Sequence, residues 1–319
     1  MRVIALIILA ACLCVQAAAV TETAPASSHE EWGLVTVGAA SLRGAPAHSA
    51  ELETQATLGT PVKLLEGAEG EWRMVEMPDG YKAWMHTSAF VERDSVSMSR
   101  WRNASRVIVT NLYGTVALTD SAVSLPASAL TDLTLGAILE GEVGHGTHYA
   151  SVRLPDGRRG FVQTGDIAPF DSVSVSPGGI SRILDAAVSM NGVSYLWGGT
   201  TPKAVDCSGF TQICYRYAGL LLPRNASQQA KMGQQLPIDD YTAWQPGDLL
   251  FFGDGVDNTR ITHVGLYMGN KMIIHASGRV AVNSLDPASP NYIGRIVIAA
   301  SRVYRWATPL NIHPWYFGN

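Results

Sequence analysis

Residues 57–59 and 78–80 of this 319-residue chain read TLG and PDG, and both triplets return 77 residues on, at 134–136 and 155–157. The same offset pairs Trp72 with Tyr149, Val75 with Val152, Trp84 with Phe161 and Thr87 with Thr164. Matching apolar positions at one fixed offset describe two copies of a single structural unit. Short strand-like runs divided by Gly, Pro, Asn and Asp make each copy a small all-β unit, over 31–97 and 98–172. Asp79-Gly80 and Asp156-Gly157 predict hairpin turns. Each turn is followed by a small residue and an aromatic, Ala83-Trp84 and Gly160-Phe161.

Beyond this repeat the pattern changes. DSVSVSPGG at 171–179 reads as a linker, and Ile183, Leu184, Ala187 and Val188 share one face of a helix predicted over 180–190. Residues 195–217, YLWGGTTPKAVDCSGFTQICYRY, run from an apolar-aromatic segment through a glycine break into a second helix. Phe210, Ile213, Cys214 and Tyr217 fall on one face of it. Asp206, Cys207 and Ser208 then occupy its first turn, where Asp206 or Ser208 can cap free N–H groups. The dipole and N–H donors of a helix start favour a thiolate, so a lowered pKa is expected for Cys207. A small cysteine packing a helix start fits the same stretch equally well. After 246–248 (PGD) come strand-like runs at 249–252, 263–268 and 271–277, divided by Gly-Asn turns. Helices followed by an antiparallel sheet give an α+β unit over 173–319.

The ends and the charge balance narrow the setting. Arg2, an apolar run to Val15 and Ala17-Ala18-Ala19 read as an export signal over 1–19. Leu9-Ala10-Ala11-Cys12 also resembles a lipoprotein box, so lipid anchoring through Cys12 is the alternative; both place the protein in the periplasm or cell envelope. Residues 20–30 are small and polar, a linker. No later segment is apolar for 18 residues, which excludes a helical membrane span. With 23 Lys+Arg against 27 Asp+Glu and no basic run, nucleic acid is not an expected partner, and the chain is read as a monomer. Removal of the leader leaves only Cys207 and Cys214, about 10 Å apart along one helix and too far for a disulfide. Unpaired cysteines in an oxidising compartment favour a functional Cys207, with Cys214 in the core.

A thiol nucleophile needs a base, and the base needs a group that orients its ring. Downstream lie His263, His275 and His313. The first two sit on consecutive strands joined by Met268-Gly269-Asn270, so both rings can share a hairpin face. His263 is then the base and His275 the orienting residue, while His313, in the tail, is structural. A zinc site of Cys207, His263 and His275 is the competing chemistry, although no close ligand pair such as CxxC or HExxH accompanies it. No metal or other cofactor is expected.

Six motifs in order, YLWGG at 195–199, DCSGF at 206–210, LPR at 222–224, PGDLLFF at 246–252, HVGLY at 263–267 and IIHAS at 273–277, resemble the NlpC/P60 family of papain-like cysteine peptidases. The likeness spans about 178–305. It implies a papain-like α+β catalytic domain with Cys207 as nucleophile, His263 as base and His275 as third polar residue. It also implies Tyr195 close to the thiol, at the oxyanion site. The first half resembles a tandem of bacterial SH3-like barrels.

This arrangement is similar to the wall-recycling branch of γ-D-glutamyl-L-diamino acid endopeptidases. That branch implies cleavage of peptidoglycan-derived stem peptides with a free N-terminal L-alanine, and a substrate pocket of Glu51 (in AELETQ), Tyr81 (in DGYKAW), Asp206 and Ser208. Ala50 stands where a serine is usual, and the second repeat has Arg158 in place of Tyr81. A buried ammonium needs a carboxylate, which agrees with the acidic members of this set. An amidase or acyltransferase acting on intact wall, or a non-catalytic wall-binding protein, are the alternatives.

Overall fold

The computed structural model describes residues 31–120, 128–144, 146–172, 179–253 and 260–318. The leader at 1–19 with Cys12, the linker at 20–30 and residues 173–178 of the second linker lie outside the described residues.

The repeat is visible as two antiparallel sheets of seven strands each. In the first, the strands are Trp32–Val35, Ala40–Arg43, Leu52–Ala56, Pro61–Glu69, Trp72–Glu76, Lys82–His86 and Phe90–Arg93. Numbered one to seven along the chain, they lie in the order 3-2-6-5-4-1-7. The second sheet is built from Arg106–Val109, Tyr113–Ala117, Ala129–Thr134, Ile138–Gly141, Tyr149–Arg153, Arg159–Gln163 and Ile167–Pro169, and repeats that order strand for strand. The Asp-Gly turns are built alike. Gly80 (φ 81°) and Gly157 (φ 91°) take the left-handed conformation open to glycine. Their N–H groups close on the carbonyls of Met77 and Leu154, and the Asp79 and Asp156 side chains accept from the N–H groups of Tyr81 and Arg158. Alternation along the strands turns Val35, Leu42, Val62, Val75 and Met85 into one core and Val107, Val116, Leu139, Val152 and Val162 into the other.

Between the sheets lies a helix, Ser95–Asn103, that the strand reading omits; it spans the expected junction at 97/98. Only Met98 and Trp101 of it are buried, too few for a helical period to stand out, and Asp94 caps it by accepting from Ser97 N–H at 2.7 Å.

The third unit carries the helices Gly179–Ser189, Cys207–Tyr217 and Ala226–Gln229 and a six-stranded antiparallel sheet. The sheet runs Gln234–Gln235, Val297–Arg302, Leu249–Phe252, His263–Gly269, Met272–Ser277, Arg279–Ser284 from edge to edge. Phe210, Ile213 and Cys214 pack with Ile183 from the preceding helix and with Val264, Leu266 and Ile274 from the sheet. The run LLFF is buried on both faces: Leu249 and Phe251 face the helices, and Leu250 and Phe252 join a second core with Trp244 and Ile273. The hairpin turn lies one residue later than expected. Asn270 (φ 53°) and Lys271 (φ 58°) are its two left-handed central residues, between the paired Gly269 and Met272, as the twist of a two-residue hairpin requires.

The first β unit docks directly on the third. Gln55 exchanges hydrogen bonds with the loop ahead of the cysteine helix: its N–H donates to Thr200 Oγ1, its Oε1 accepts from Thr200 N–H, and its carbonyl accepts from Thr200 Oγ1. Asp79, at the tip of the first Asp-Gly turn, accepts from Gln212 Nε2 at 2.8 Å. The second β unit touches the same loop through Tyr113 Oη, which donates to the Pro202 carbonyl at 2.7 Å. Among the described residues no helix is long and apolar enough to cross a membrane.

Candidate active site

Cys207 is the first residue of its helix and Asp206 the N-cap. Asp206 is held from all sides. It accepts from the N–H groups of Gly209 (2.7 Å) and Gly198 (3.0 Å), from Ser208 Oγ (3.2 Å), and from both terminal nitrogens of Arg224. Arg224 also donates to Ser208 Oγ at 2.9 Å and to the Glu53 carbonyl at 2.9 Å, which ties the cysteine turn to the first β unit. Arg224 and Asp206 are both buried, and such a fork-on-carboxylate pair offsets part of the desolvation of its two charges. Gly198, with φ 80°, lies where a Cβ would come within 2.2 Å of the Leu52 carbonyl, so the glycine break in YLWGG is what lets this loop meet the β unit.

The thiol itself departs from expectation. Cys207 is 8% exposed, and burial, reinforced by the Asp206 carboxylate, pushes its pKa up to about 11. The N–H groups of Val264 and Ser208 bond toward the sulfur and pull the other way without overcoming burial. The helix-start argument identifies one of these donors, Ser208 N–H, and desolvation outweighs both. Cys207 therefore rests as a thiol at pH 7, not as a preformed thiolate. Alkylation by iodoacetamide is expected to rise about tenfold per pH unit through pH 7–9 at Cys207, with Cys214, fully buried, labelled far more slowly; mass spectrometry of quenched time points reads both. A plateau below pH 7 at Cys207, or equal labelling of the two, contradicts this account.

Gly265 pairs with His275, and His263 sits two residues before Gly265 on the same face, so the rings are diagonal neighbours. They meet edge to face, with His263 Nε2 and His275 Nδ1 2.8 Å apart. Gly265 makes room for this: a Cβ there would lie 2.8 Å from that of His275. Burial, together with the nearby charge of Arg295, holds both rings below the usual imidazole range, and for His263 the partner ring adds to the fall. Both are neutral at pH 7. On its far side His275 Nε2 meets Asn283 Oδ1 at 3.1 Å.

The Tyr195 backbone bridges to Val205, two residues before Cys207, and burial and the Cys207 charge raise the Tyr195 pKa to about 12. Glu51 and Tyr81, expected together, are apart in their hydrogen bonding. Tyr81 Oη donates to Glu53 Oε2 at 2.5 Å, whereas Glu51 Oε1 accepts from Trp197 Nε1 at 2.6 Å. Tyr81, raised to about 12 by burial and by Glu53, stays protonated. His313 lies in the tail, where its Nδ1 accepts from Trp315 N–H. The facing nitrogens of His263 and His275 are spent on each other, and no metal-holding cluster of His, Cys, Asp and Glu occurs among the described residues. Arg224, Glu53 and Asn283 went unassigned from sequence; LPR flags the first, and nothing local flags the others.

The NlpC/P60 family model matches residues 192–300, and the bacterial dipeptidyl-peptidase Sh3 domain model matches 42–90. The chain is 30% identical over 233 residues to the gamma-D-glutamyl-L-lysine dipeptidyl-peptidase of Bacillus subtilis (strain 168), covering 70% of this chain and 72% of that one. The chain belongs to the NlpC/P60 family. It is accordingly a cysteine peptidase, and the matched stretch includes Tyr195, Cys207, His263 and His275. Dipeptidyl-peptidase 6 of Lysinibacillus sphaericus is 26% identical over 263 residues, 79% of this chain and 91% of its own. A crystal structure of an NlpC/P60 family protein from Bacillus cereus ATCC 10987 shares the fold with a TM-score of 0.72, at 22% identity, over 86% of this chain and 99% of that one.

Proposed function

We propose that this NlpC/P60 peptidase hydrolyses the bond between γ-linked D-glutamate and the following diamino acid in peptidoglycan stem peptides that begin with a free L-alanine. The observation that carries the reading is the acidic strand of the first β unit lying against the loop that leads to the thiol, with Glu51 on Trp197, two residues from Tyr195. Cys207 is the nucleophile and His263 the base. As the sulfur attacks the carbonyl carbon, the thiol proton passes to His263 Nδ1, and the oxyanion forms beside the Tyr195 hydroxyl. Collapse expels the amine of the diamino acid, which takes the proton from His263 and leaves a γ-D-glutamyl thioester. Water, deprotonated by His263, then releases the carboxylate and restores the thiol.

The alanine ammonium is assigned to Glu51 and Glu53, with Tyr81 closing the pocket. Asp206, its oxygens already engaged, and Ser208 shape the helix start beneath. Such a peptidase acts outside the cytoplasm on wall fragments. Incubation with L-Ala-γ-D-Glu-L-Lys and its diaminopimelate counterpart, followed by mass spectrometry, is expected to give L-Ala-γ-D-Glu and the free diamino acid. Release of alanine, or intact tripeptides, overturns the reading.

A further inference from the structure

The His263–His275 contact cannot choose its own direction: at 2.8 Å either ring can donate to the other, and the two arrangements put opposite nitrogens of His263 in the bare state. We infer that Asn283 is the positioning residue that makes this choice, fixing both tautomers so that His263 presents a bare Nδ1. This rests on the proposed roles of Cys207 and His263.

Asn283 lies on the strand Arg279–Ser284, where His275 pairs with Ala281, so Asn283 is the diagonal neighbour of His275 on the same face. Its amide orientation is set from behind. Asn283 Nδ2 donates to the Asn291 carbonyl at 2.9 Å, and the reversed amide would set two carbonyl oxygens against each other. Oδ1 therefore faces His275 Nε2 at 3.1 Å. A carbonyl oxygen only accepts, so His275 Nε2 carries the hydrogen. The ring is buried and neutral, with the positive Arg295 acting on it, so its Nδ1 is bare and accepts. His263 Nε2 must then be the donor, and in a neutral ring that leaves Nδ1 as the lone pair. Without the Asn283 acceptor, the reversed chain becomes accessible, with His275 Nδ1–H donating to His263 Nε2. His263 would then hold its proton on Nδ1 and could not act as a base through that nitrogen.

Nitrogen NMR of histidine-labelled protein separates the two tautomers. Wild type is expected to show both rings as Nε2–H. Asn283→Leu is expected to populate Nδ1–H in both, and to lower kcat by about 10–100-fold with KM little changed, the range typical of losing the group that fixes a histidine tautomer at metal sites. A wild-type His263 in the Nδ1–H form overturns the inference, as does an Asn283→Leu spectrum unchanged from wild type. The spectra need no substrate, so they decide the tautomers even if the tripeptides are not cleaved, a result that would count against the peptidase specificity alone.

Discussion

Cys207→Ala is expected to abolish tripeptide hydrolysis while costing about 1 kcal/mol of stability, and His263→Ala to lower kcat by about 100–10,000-fold. The first expectation follows because nothing else at the helix start is a nucleophile: Asp206 is bound on both oxygens, and Ser208 Oγ sits between Asp206 and Arg224. The stability cost is small because the substitution removes a single heavy atom, the sulfur, and the cap, made by Asp206, is untouched. The second follows from the raised thiol pKa. With Cys207 near 11, the fraction ionised at pH 7 is about one in ten thousand, so attack depends on a base that takes the proton as the bond forms. His275→Asn is expected to retain measurable turnover, since an amide can still engage His263 Nε2. Because burial lowers the His263 pKa, its neutral form persists as pH falls below the usual imidazole value, and the acid limb of kcat/KM is displaced to lower pH. Turnover by Cys207→Ala, or a greater loss in His275→Asn than in His263→Ala, overturns these roles.

The parts of the site that sequence exposes are those fixed by local rules. Strand alternation and a Gly-Asn turn put His263 and His275 on one face before any tertiary contact is known, and the capping pattern places Cys207 at a helix start. Both signals act over a few residues. Asn283 escapes because its position depends on the register between Met272–Ser277 and Arg279–Ser284, and a shift of one residue would turn its side chain to the other face. The thiol pKa is misjudged for a related reason: the helix donor, Ser208 N–H, is written in DCSGF, but the burial that outweighs it comes from the core that the helix forms with the sheet. That Tyr81 bonds to Glu53 is likewise a matter of which residue of the strand Leu52–Ala56 reaches the Asp-Gly turn, which no local signal gives.

Acetylating the alanine amine of the tripeptide is expected to lower kcat/KM by about 30-fold or more in the wild type. The group that loses its partner is the pair of carboxylates at the edge of the first β unit. Truncating one side of a desolvated charge pair costs about 2–5 kcal/mol, which is about 30- to several-thousand-fold. Glu51 is exposed and Glu53 half-buried, so solvent screens both and the lower end of the range applies. The same exposure makes the discrimination fall as salt rises, because a pair open to solvent is screened over about 10 Å at 0.1 M. Glu53→Gln tests the source of the effect. It should slow the free tripeptide and leave the acetylated one nearly unchanged, so that the two rates converge; Glu51→Gln should do the same to the extent that its carboxylate leaves Trp197 for the ammonium. Stems still joined to muramic acid carry an amide at this nitrogen and should behave like the acetylated peptide, so released fragments are expected to be cleaved in preference to intact wall. Equal kcat/KM for the two peptides in the wild type would mean that no amine pocket exists, and the β units would then serve only to hold the thiol loop in place through Gln55, Arg224 and Asp79.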